Sequence, residues 1–403
     1  MGRATQGAYM QRLGWMLCAA LLVAGVAGAQ DKPLDRPPIV LGLHADMSSG
    51  SAMAGEAVRR GALLAISEIN GQGGLLGGRK LELVVRDHHG VPARAESQLP
   101  ELADMPNLVA VLGGLHGAAF LTSLPYIHRR QLVFMGTWAS TKELIDHGET
   151  PSYTFRVSAQ DSLVGEFLVS KALKPGRTQL GLLLERSAWG RSNEKAMSEA
   201  LARRKLTPAG VQWFNWADEN MDAQVAALER MGAQAILLVA NAPEGSNAIK
   251  SMARRPQDKR VPLYAHWGLS GGSFVAMAGP ALSEVELSVF QTFSFVGAKD
   301  KRTQDFLTAY HQMFGTTRAE DISAPVGTAH AYDAVWLLAL AIKKAGTTDR
   351  PKVRDALEQL GPHKGLIRTY QPAFTPTRHE ALELSDYQLT TFTSEGVLVP
   401  SAP

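Results

Sequence analysis

The chain has 403 residues, of which 45% are hydrophobic and 20% are charged, with 41 Lys plus Arg against 38 Asp plus Glu. This ordinary globular composition excludes a disordered, collagen-like or disulfide-scaffold protein, and the length allows two domains or one large α/β unit. The formal net charge is +3 and no Lys/Arg run exceeds three residues, so we expect no nucleic-acid partner.

The first 29 residues have the pattern of a secretory signal peptide. Arg3 and Arg12 are their only charges, residues 13–29 are uncharged, and a small-residue A-G-A site ends at Ala29. We expect cleavage after Ala29, a periplasmic product and no stable membrane insertion afterwards. The alternative is a membrane anchor, for which this apolar segment is short.

The only cysteine, Cys18, lies inside this segment, so the mature chain would have no disulfide. A lipid-anchored protein would need small residues before that cysteine, and bulky Trp15, Met16 and Leu17 stand there instead. Residues 30–38 contain three prolines and are interpreted as a linker.

Strand and helix patterns then alternate in two series. Short apolar runs predict strands, and apolar residues spaced three and four apart predict helices. The first series has strands at 39–43, 81–85, 109–112 and 132–135, with helices at 54–70 and 92–103. The second has strands at 180–184, 211–214, 235–239 and 263–265, with helices at 192–204, 222–231 and 246–254.

Such alternation predicts two α/β lobes, each a parallel sheet covered on both faces. Parallel sheets bind ligands beyond the carboxyl ends of their strands. If the lobes face each other, the turns after the strands line one cleft. These turns are 44–50, 113–118, 136–140, 185–190, 241–245 and 266–272.

Several short motifs occur in an order that covers almost the whole mature chain. They are an Asn-x-x-Gly-Gly turn from Asn70, Asp87 followed by Pro92, Trp189-Gly190 after a strand, and a late helix with Tyr332-Asp333-Ala334. In this order the chain resembles the type I periplasmic solute-binding proteins of ABC transporters, in the branched-chain amino acid and amide binding group.

The resemblance implies two doubly wound parallel-sheet lobes joined by a three-crossover hinge, with crossovers near Arg156, Phe290 and Leu366. Lobe 1 would comprise residues 39–156 plus 290–366, and lobe 2 residues 157–289 plus 367–403. It also implies a monomeric receptor, not an enzyme, that closes on a small solute and delivers it to the permease of an ABC importer. No cofactor and no metal is implied.

The chain departs from this family's pattern for α-amino acids. The family's Ser after the third strand is replaced by L-H-G-A at 115–118, although Ser140 can supply a hydroxyl after the fourth. The acidic partner of the ligand's ammonium aligns with Trp267, beside His266, and the cysteine pair of some members falls at Gly90 and His116. A buried ammonium without a counter-charge is costly, so we expect an amino-acid-like, amide or aromatic carboxylate ligand rather than a simple α-amino acid.

Ten residues on the candidate turns are predicted ligand contacts. Ser140 and the backbone N–H groups of Gly117 and Ala118 would bind a carboxylate or amide oxygen, the tryptophans would stack on the ligand, and the histidines would pair with an anion. The ten are Ser49, His116, Gly117, Ala118, Trp138, Ser140, Trp189, Asn241, His266 and Trp267.

Other functions remain open at this point. A receptor of the same fold could report its ligand to a kinase or chemoreceptor. A secreted serine hydrolase is also an alternative, because the G-x-S-x-G around Ser270 is followed by acid and base candidates at Asp321, His330 and His363. The sequence leaves the role of His88 and His89 undecided; adjacent histidines at a strand end point apart, which disfavours a metal site.

Overall fold

The computed structural model describes residues 36–401. The predicted signal peptide, its cleavage site and most of the 30–38 linker lie outside these residues. From Pro37 the described chain forms one compact unit.

The strands follow the two predicted series. The structure adds further strands between the two series, after the second series and near the end of the described chain. Most of the central strands are fully buried, which is why they have near-continuous apolar runs. In chain order they are β1 (Ile39–Ala45), β2 (Leu81–Asp87), β3 (Leu108–Gly113), β4 (Val133–Gly136), β5 (Thr154–Arg156), β6 (Leu180–Glu185), β7 (Gly210–Phe214), β8 (Ala235–Val239), β9 (Leu263–Ala265), β10 (Leu287–Gln291), β11 (His363–Lys364), β12 (Thr369–Tyr370), β13 (Gln388–Phe392) and β14 (Leu398–Pro400).

The helices cover the sheets and connect parallel neighbours. They are α1 (Ala52–Gly71), α2 (Pro92–Ala103), α3 (Ala118–Leu121), α4 (Leu124–Arg129), α5 (Asp161–Ala172), α6 (Ala188–Ala202), α7 (Asp222–Arg230), α8 (Ala242–Ala253), α9 (Phe274–Ala278), α10 (Lys301–Phe314), α11 (Pro325–Ala345) and α12 (Arg350–Leu357).

Two sheets organise the fold. The first sheet has the order β2-β1-β3-β4-β5 and is parallel throughout. The second has the order β14-β13-β10-β9-β8-β6-β7, in which β6 to β10 run parallel and the β13–β14 hairpin adds an antiparallel edge. This confirms the predicted α/β class with parallel sheets; the antiparallel hairpin was not predicted.

Helix α11 is the central helix of the first sheet's layer. It packs along α1 so closely that a Cβ on Gly61 would lie 2.1 Å from the backbone oxygen of Thr328. Within residues 36–401 it is the one helix long and apolar enough to cross a membrane, and 89% of its most apolar window is buried in this structure. The apolar composition therefore matches its place in the core.

The last crossing between the sheets lies later than the prediction near Leu366. Tyr370 donates a hydrogen bond to Asp333 of α11 at 2.7 Å, and the backbone N–H of Arg156 in β5 donates to His379 O at 2.9 Å. These contacts hold residues 370–380 beside the first sheet, and the chain joins the second sheet only with β13. The remaining lobe boundaries stay a prediction.

Candidate ligand-binding cavity

A cavity lies where the carboxyl ends of the two sheets meet, and its space, together with the solvent at its mouth, is about 410 Å³. Residues after β3 and β4 line it from the first sheet, and residues at or after the ends of β6, β7, β8 and β9 line it from the second. The lining residues are Leu115, His116, Gly117, Ala118, Ser140, Thr141, Glu185, Ser187, Trp189, Trp216, Asn241, Trp267 and Gly268.

The first-sheet rim presents hydrogen-bond donors. Among the described residues, no hydrogen bond is made by the backbone N–H of Gly117 or Ala118 or by the buried hydroxyl of Thr141. Gly117 is needed here, because a Cβ at that position would lie 2.5 Å from Thr141 Oγ1. The absent side chain lets the two turns approach each other.

The orientation of the Ser140 hydroxyl is set from behind the cavity. His266 Nδ1 accepts the Trp267 backbone N–H at 2.9 Å, so its proton is on Nε2. That Nε2–H faces Ser140 Oγ at 3.5 Å and Asp161 Oδ1 at 3.4 Å. Burial lowers the pKa of His266, although Asp161 opposes this, so the imidazole is neutral at neutral pH. Ser140 Oγ therefore lies between a donor, His266, and the buried Asp161 carboxylate, whose pKa burial would raise but which His266 and, in part, Ser140 lower, so the Ser140 O–H is not free for a ligand.

The second-sheet rim contains a carboxyl group. Glu185 ends β6, is 2% exposed, and accepts a hydrogen bond from Asn241 Nδ2 at 3.1 Å. Burial raises its pKa to about 7, Glu244 adds to the increase, and hydrogen bonds from Ser187 and Trp216 oppose it. The Asn241 amide nitrogen donates this hydrogen bond, and its amide oxygen, Oδ1, is buried and has no hydrogen-bond partner among the described residues.

Glu185 corrects the expectation that the cavity lacks an acidic group. The cavity lining includes Trp267, the position expected to replace the family's acid, but the end of β6 brings a carboxyl to the same cavity from a different strand. The argument against an ammonium ligand therefore no longer holds.

Three tryptophans line the cavity from three different turns. Trp189 has a buried Nε1 without a partner in the described chain, and its ring meets His266 edge-on at 4.9 Å. Trp216 is 45% exposed and lies 5.7 Å from the ring of His116 on the opposite rim. Trp267 is almost fully buried and forms the floor.

Seven of the ten predicted contacts line this cavity. They are His116, Gly117, Ala118, Ser140, Trp189, Asn241 and Trp267. The sequence prediction missed Leu115, Thr141, Glu185, Ser187, Trp216 and Gly268. Leu115, Glu185, Ser187 and Gly268 lie in predicted turns and Thr141 directly follows one, whereas the turn after β7 that carries Trp216 is not among the predicted turns.

The other three predicted contacts do not line this cavity. Ser49 lies outside the cavity because its hydroxyl donates to the Asp46 carboxylate. Trp138 is fully buried, with its ring against Gly327 of α11 and Trp267, so it belongs to the core. His266 is also fully buried and acts behind Ser140 rather than at the cavity wall.

The G-x-S-x-G motif does not form a nucleophile elbow. Ser270 Oγ donates to the Trp267 backbone oxygen at 2.8 Å and accepts from Gln291 Nε2 at 3.2 Å, so no base contacts it. Of the proposed partners, His330 is bonded to Thr292 and to a backbone oxygen, and Asp321 pairs with Arg318. A catalytic triad is therefore not assembled among these residues.

Asp46, Asp87 and His89 offer ligand atoms within 4.8 Å of one another, the one such group with metal-binding spacing in residues 36–401. The carboxylate oxygens already accept hydrogen bonds from Ser48, Ser49 and nearby backbone N–H groups. His88 is fully buried beside His44 and Phe120 and is not part of this group.

Residues 38–391 match the profile of the family described as periplasmic binding protein. The chain belongs to this family. It is a type I periplasmic binding protein of the Leu/Ile/Val-binding group, which confirms the resemblance seen in the sequence.

Individual relatives are distant but similar over most of their length. The chain is 21% identical over 358 residues to Leu/Ile/Val-binding protein homolog 1 of Brucella abortus, covering 88% of this chain and 89% of that protein. A type 1 periplasmic binding protein from Bordetella pertussis superposes with a TM-score of 0.80 at 22% identity, covering 91% of this chain and all of the other. A solute-binding protein from R. palustris in complex with benzoate gives a TM-score of 0.75 at 17% identity, covering 90% and 95%.

Proposed function

We propose that the protein is a periplasmic receptor that captures a small solute between two lobes and delivers it to an ABC importer. The observation that carries this proposal is a set of buried polar atoms around the cavity that have no partner in the described chain: Thr141 Oγ1, Trp189 Nε1, Asn241 Oδ1 and His116 Nδ1. Buried polar groups are nearly always hydrogen-bonded, so their concentration here favours a polar ligand as their partner.

The polarity of the two rims favours a ligand with two different ends. The first-sheet rim offers donors from Thr141, Gly117 and Ala118, which suit a carboxylate or amide oxygen. The second-sheet rim offers acceptors from Asn241 and Glu185, which suit an N–H group or a cation. An amino-acid-like or amide solute satisfies both rims at once.

An aromatic carboxylate also remains within the proposal, because three indole rings line the cavity. The R. palustris neighbour was solved with benzoate, and the Brucella relative is named for branched-chain amino acids. An ionised Glu185 would repel a carboxylate at its own rim, so the carboxylate of an aromatic acid would be bound at the first-sheet rim.

Binding and closure would be a single equilibrium. Donors from one sheet and acceptors from the other both contact the ligand, so a bound solute stabilises the arrangement in which the rims face each other. No chemical change of the ligand is required.

A thermal-shift screen of the mature chain, residues 30–403, with amino acids, amides, urea and aromatic acids tests this function. We expect one class of solute to raise the unfolding temperature. Trp189→Ala should weaken that binding without unfolding the protein, whereas Trp336→Ala, on α11 away from the cavity, should not. Turnover of a solute, or equal losses in both variants, would contradict the proposal.

A further inference from the structure

The second-sheet half of the cavity has the composition of a cation site. Trp189, Trp216 and Trp267 line it together with Glu185, and no Lys or Arg is among the lining residues. Glu185 and His116 are the only ionisable side chains of the lining, and burial lowers the pKa of His116, so that ring is neutral. The lining therefore carries either no charge or one negative charge, and the buried Asp161 carboxylate adds a negative charge behind Ser140.

Indole rings attract cations through the negative face of their π-system, and the attraction is strongest where water is excluded. A primary ammonium has three N–H groups to satisfy, whereas a methylated ammonium has few or none and presents an apolar, weakly hydrated surface. Aromatic walls with a single carboxyl suit the methylated form. The acceptors at this rim, Glu185 and Asn241, are few, and one Glu185 oxygen already accepts from Asn241.

The aromatic walls converge from separate elements. Trp189 follows β6, Trp216 follows β7 and Trp267 follows β9. Gly268 permits the approach, since a Cβ there would lie 2.9 Å from both Trp189 Cη2 and Asn241 Oδ1. The absence of a side chain at Gly268 thus lets the Trp189 ring approach the turn that carries Trp267.

Core packing does not explain the position of Trp216, one of the three tryptophans that line the cavity. It is 45% exposed and is the one aromatic among the exposed large hydrophobic side chains of residues 36–401. Its ring lies 5.7 Å from that of His116 on the opposite rim, so it closes the cavity mouth. An exposed indole at a cavity mouth is placed to contact a guest rather than to stabilise the core.

We propose that the ligand is a small zwitterion with a methylated ammonium group, which lies among Trp189, Trp216 and Trp267 against the Glu185 carboxylate. Its own carboxylate is bound at the opposite rim by the donors of Gly117, Ala118 and Thr141. This inference rests on the proposed receptor function and assigns the ligand class to the same cavity.

Isothermal titration calorimetry of the mature chain with a matched ligand pair tests the inference. Glycine betaine carries the methylated ammonium and the carboxylate, and tert-butylacetic acid has the same shape with a neutral carbon in place of nitrogen. We expect glycine betaine to bind about tenfold or more tightly than the neutral isostere. Leucine and benzoate are titrated in parallel.

The outcomes separate the inference from the proposed function. If leucine or benzoate binds and glycine betaine does not, the ligand class is wrong and the receptor function stands. Equal affinity for the betaine and its isostere also overturns the ligand class. If none of the panel binds, both the inference and the receptor proposal lose support.

Two variants locate the cation. Glu185→Gln keeps the shape but removes the counter-charge, so it should weaken glycine betaine about tenfold and should not weaken the tert-butylacetate anion. Trp216→Ala should weaken the betaine while the protein stays folded, because this indole is half exposed. Trp336→Ala is the control, and a loss there equal to that in Trp216→Ala would overturn the assignment.

Discussion

Arg156 and Glu380 form a two-point ion pair between the end of the first sheet and the chain segment that leads to the second. The fully buried guanidinium also donates to the backbone oxygens of Ala139 at 3.2 Å and Thr141 at 2.9 Å. These two oxygens flank Ser140. One side chain therefore joins two of the chain's crossings to the rim that carries the cavity's hydroxyl donors.

Arg156→Lys tests this connection. Lysine keeps the charge but loses the planar fork, so it cannot serve Glu380 and both carbonyls together. We expect a stability loss of about 3 kcal/mol, the lower end for a broken buried pair, and weaker binding of whichever solute the screen identifies. Urea unfolding and calorimetry measure the two effects.

The control for that change is Arg318→Lys, in the exposed pair with Asp321. Exposed pairs contribute about 0–1 kcal/mol, so we expect little change in stability and none in binding. An Arg156→Lys protein as stable as the control variant would show that the buried pair does not hold the Ser140 turn.

Glu185→Gln should stabilise the ligand-free protein above neutral pH. The folded-state pKa is raised from 4.5 to about 7, so folded wild type holds this proton more tightly than the unfolded chain does. The associated stability is fully present below the unfolded value and is lost as pH rises through 7. Glutamine removes this loss, which is worth at most about 3 kcal/mol.

The measurement is the unfolding temperature of both proteins, compared as a difference at about pH 5 and about pH 8. We expect the variant's advantage to grow from the acidic to the basic condition. Because every other titrating group is shared, it cancels in this difference. A difference that is constant with pH would mean that Glu185 titrates near its ordinary value.

Gly268→Ala should damage the cavity more than the fold. The new Cβ would lie 2.3 Å from the Ala240 backbone oxygen and 2.9 Å from Trp189 Cη2, so the indole or the turn must move. We expect a loss of about tenfold or more in solute affinity, with a stability cost of about 1–3 kcal/mol from overpacking. Gly71→Ala, where a Cβ meets open space, is the matched control and should bind normally.

The sequence predicts where the strands end. It does not predict how deeply the residues after each strand are buried. Trp138 and Trp189 both follow predicted strands, and both were expected at the ligand. Trp138 is buried because its ring packs against Gly327 of α11, which lies nearly 190 residues later in the sequence and has no side chain to obstruct the ring. That contact depends on how α11 packs across the first sheet, which no local pattern in the sequence records.

Glu185 and Trp216 were missed for different reasons. Glu185 stood inside a predicted turn, but its role follows from burial and from the Asn241 hydrogen bond, which are properties of the assembled rims. Trp216 follows β7, an edge strand whose half-buried residues give a weaker apolar signal than the central strands. The ends of the central strands were predictable, whereas the electrostatics between the rims required the tertiary structure.

Trp138→Ala tests whether Trp138 belongs to the hydrophobic core rather than to the ligand site. Removing a fully buried indole leaves a void against α11, and we expect a stability loss of about 3–5 kcal/mol. At a temperature where the variant remains folded, its solute preference should match that of wild type, because the ring does not line the cavity. Trp189→Ala should show the reverse, with a large loss of affinity and a smaller loss of stability. Urea unfolding measures the stability of both variants, and calorimetry measures their solute affinity. A changed ligand preference in Trp138→Ala would show that Trp138 contributes to the binding site.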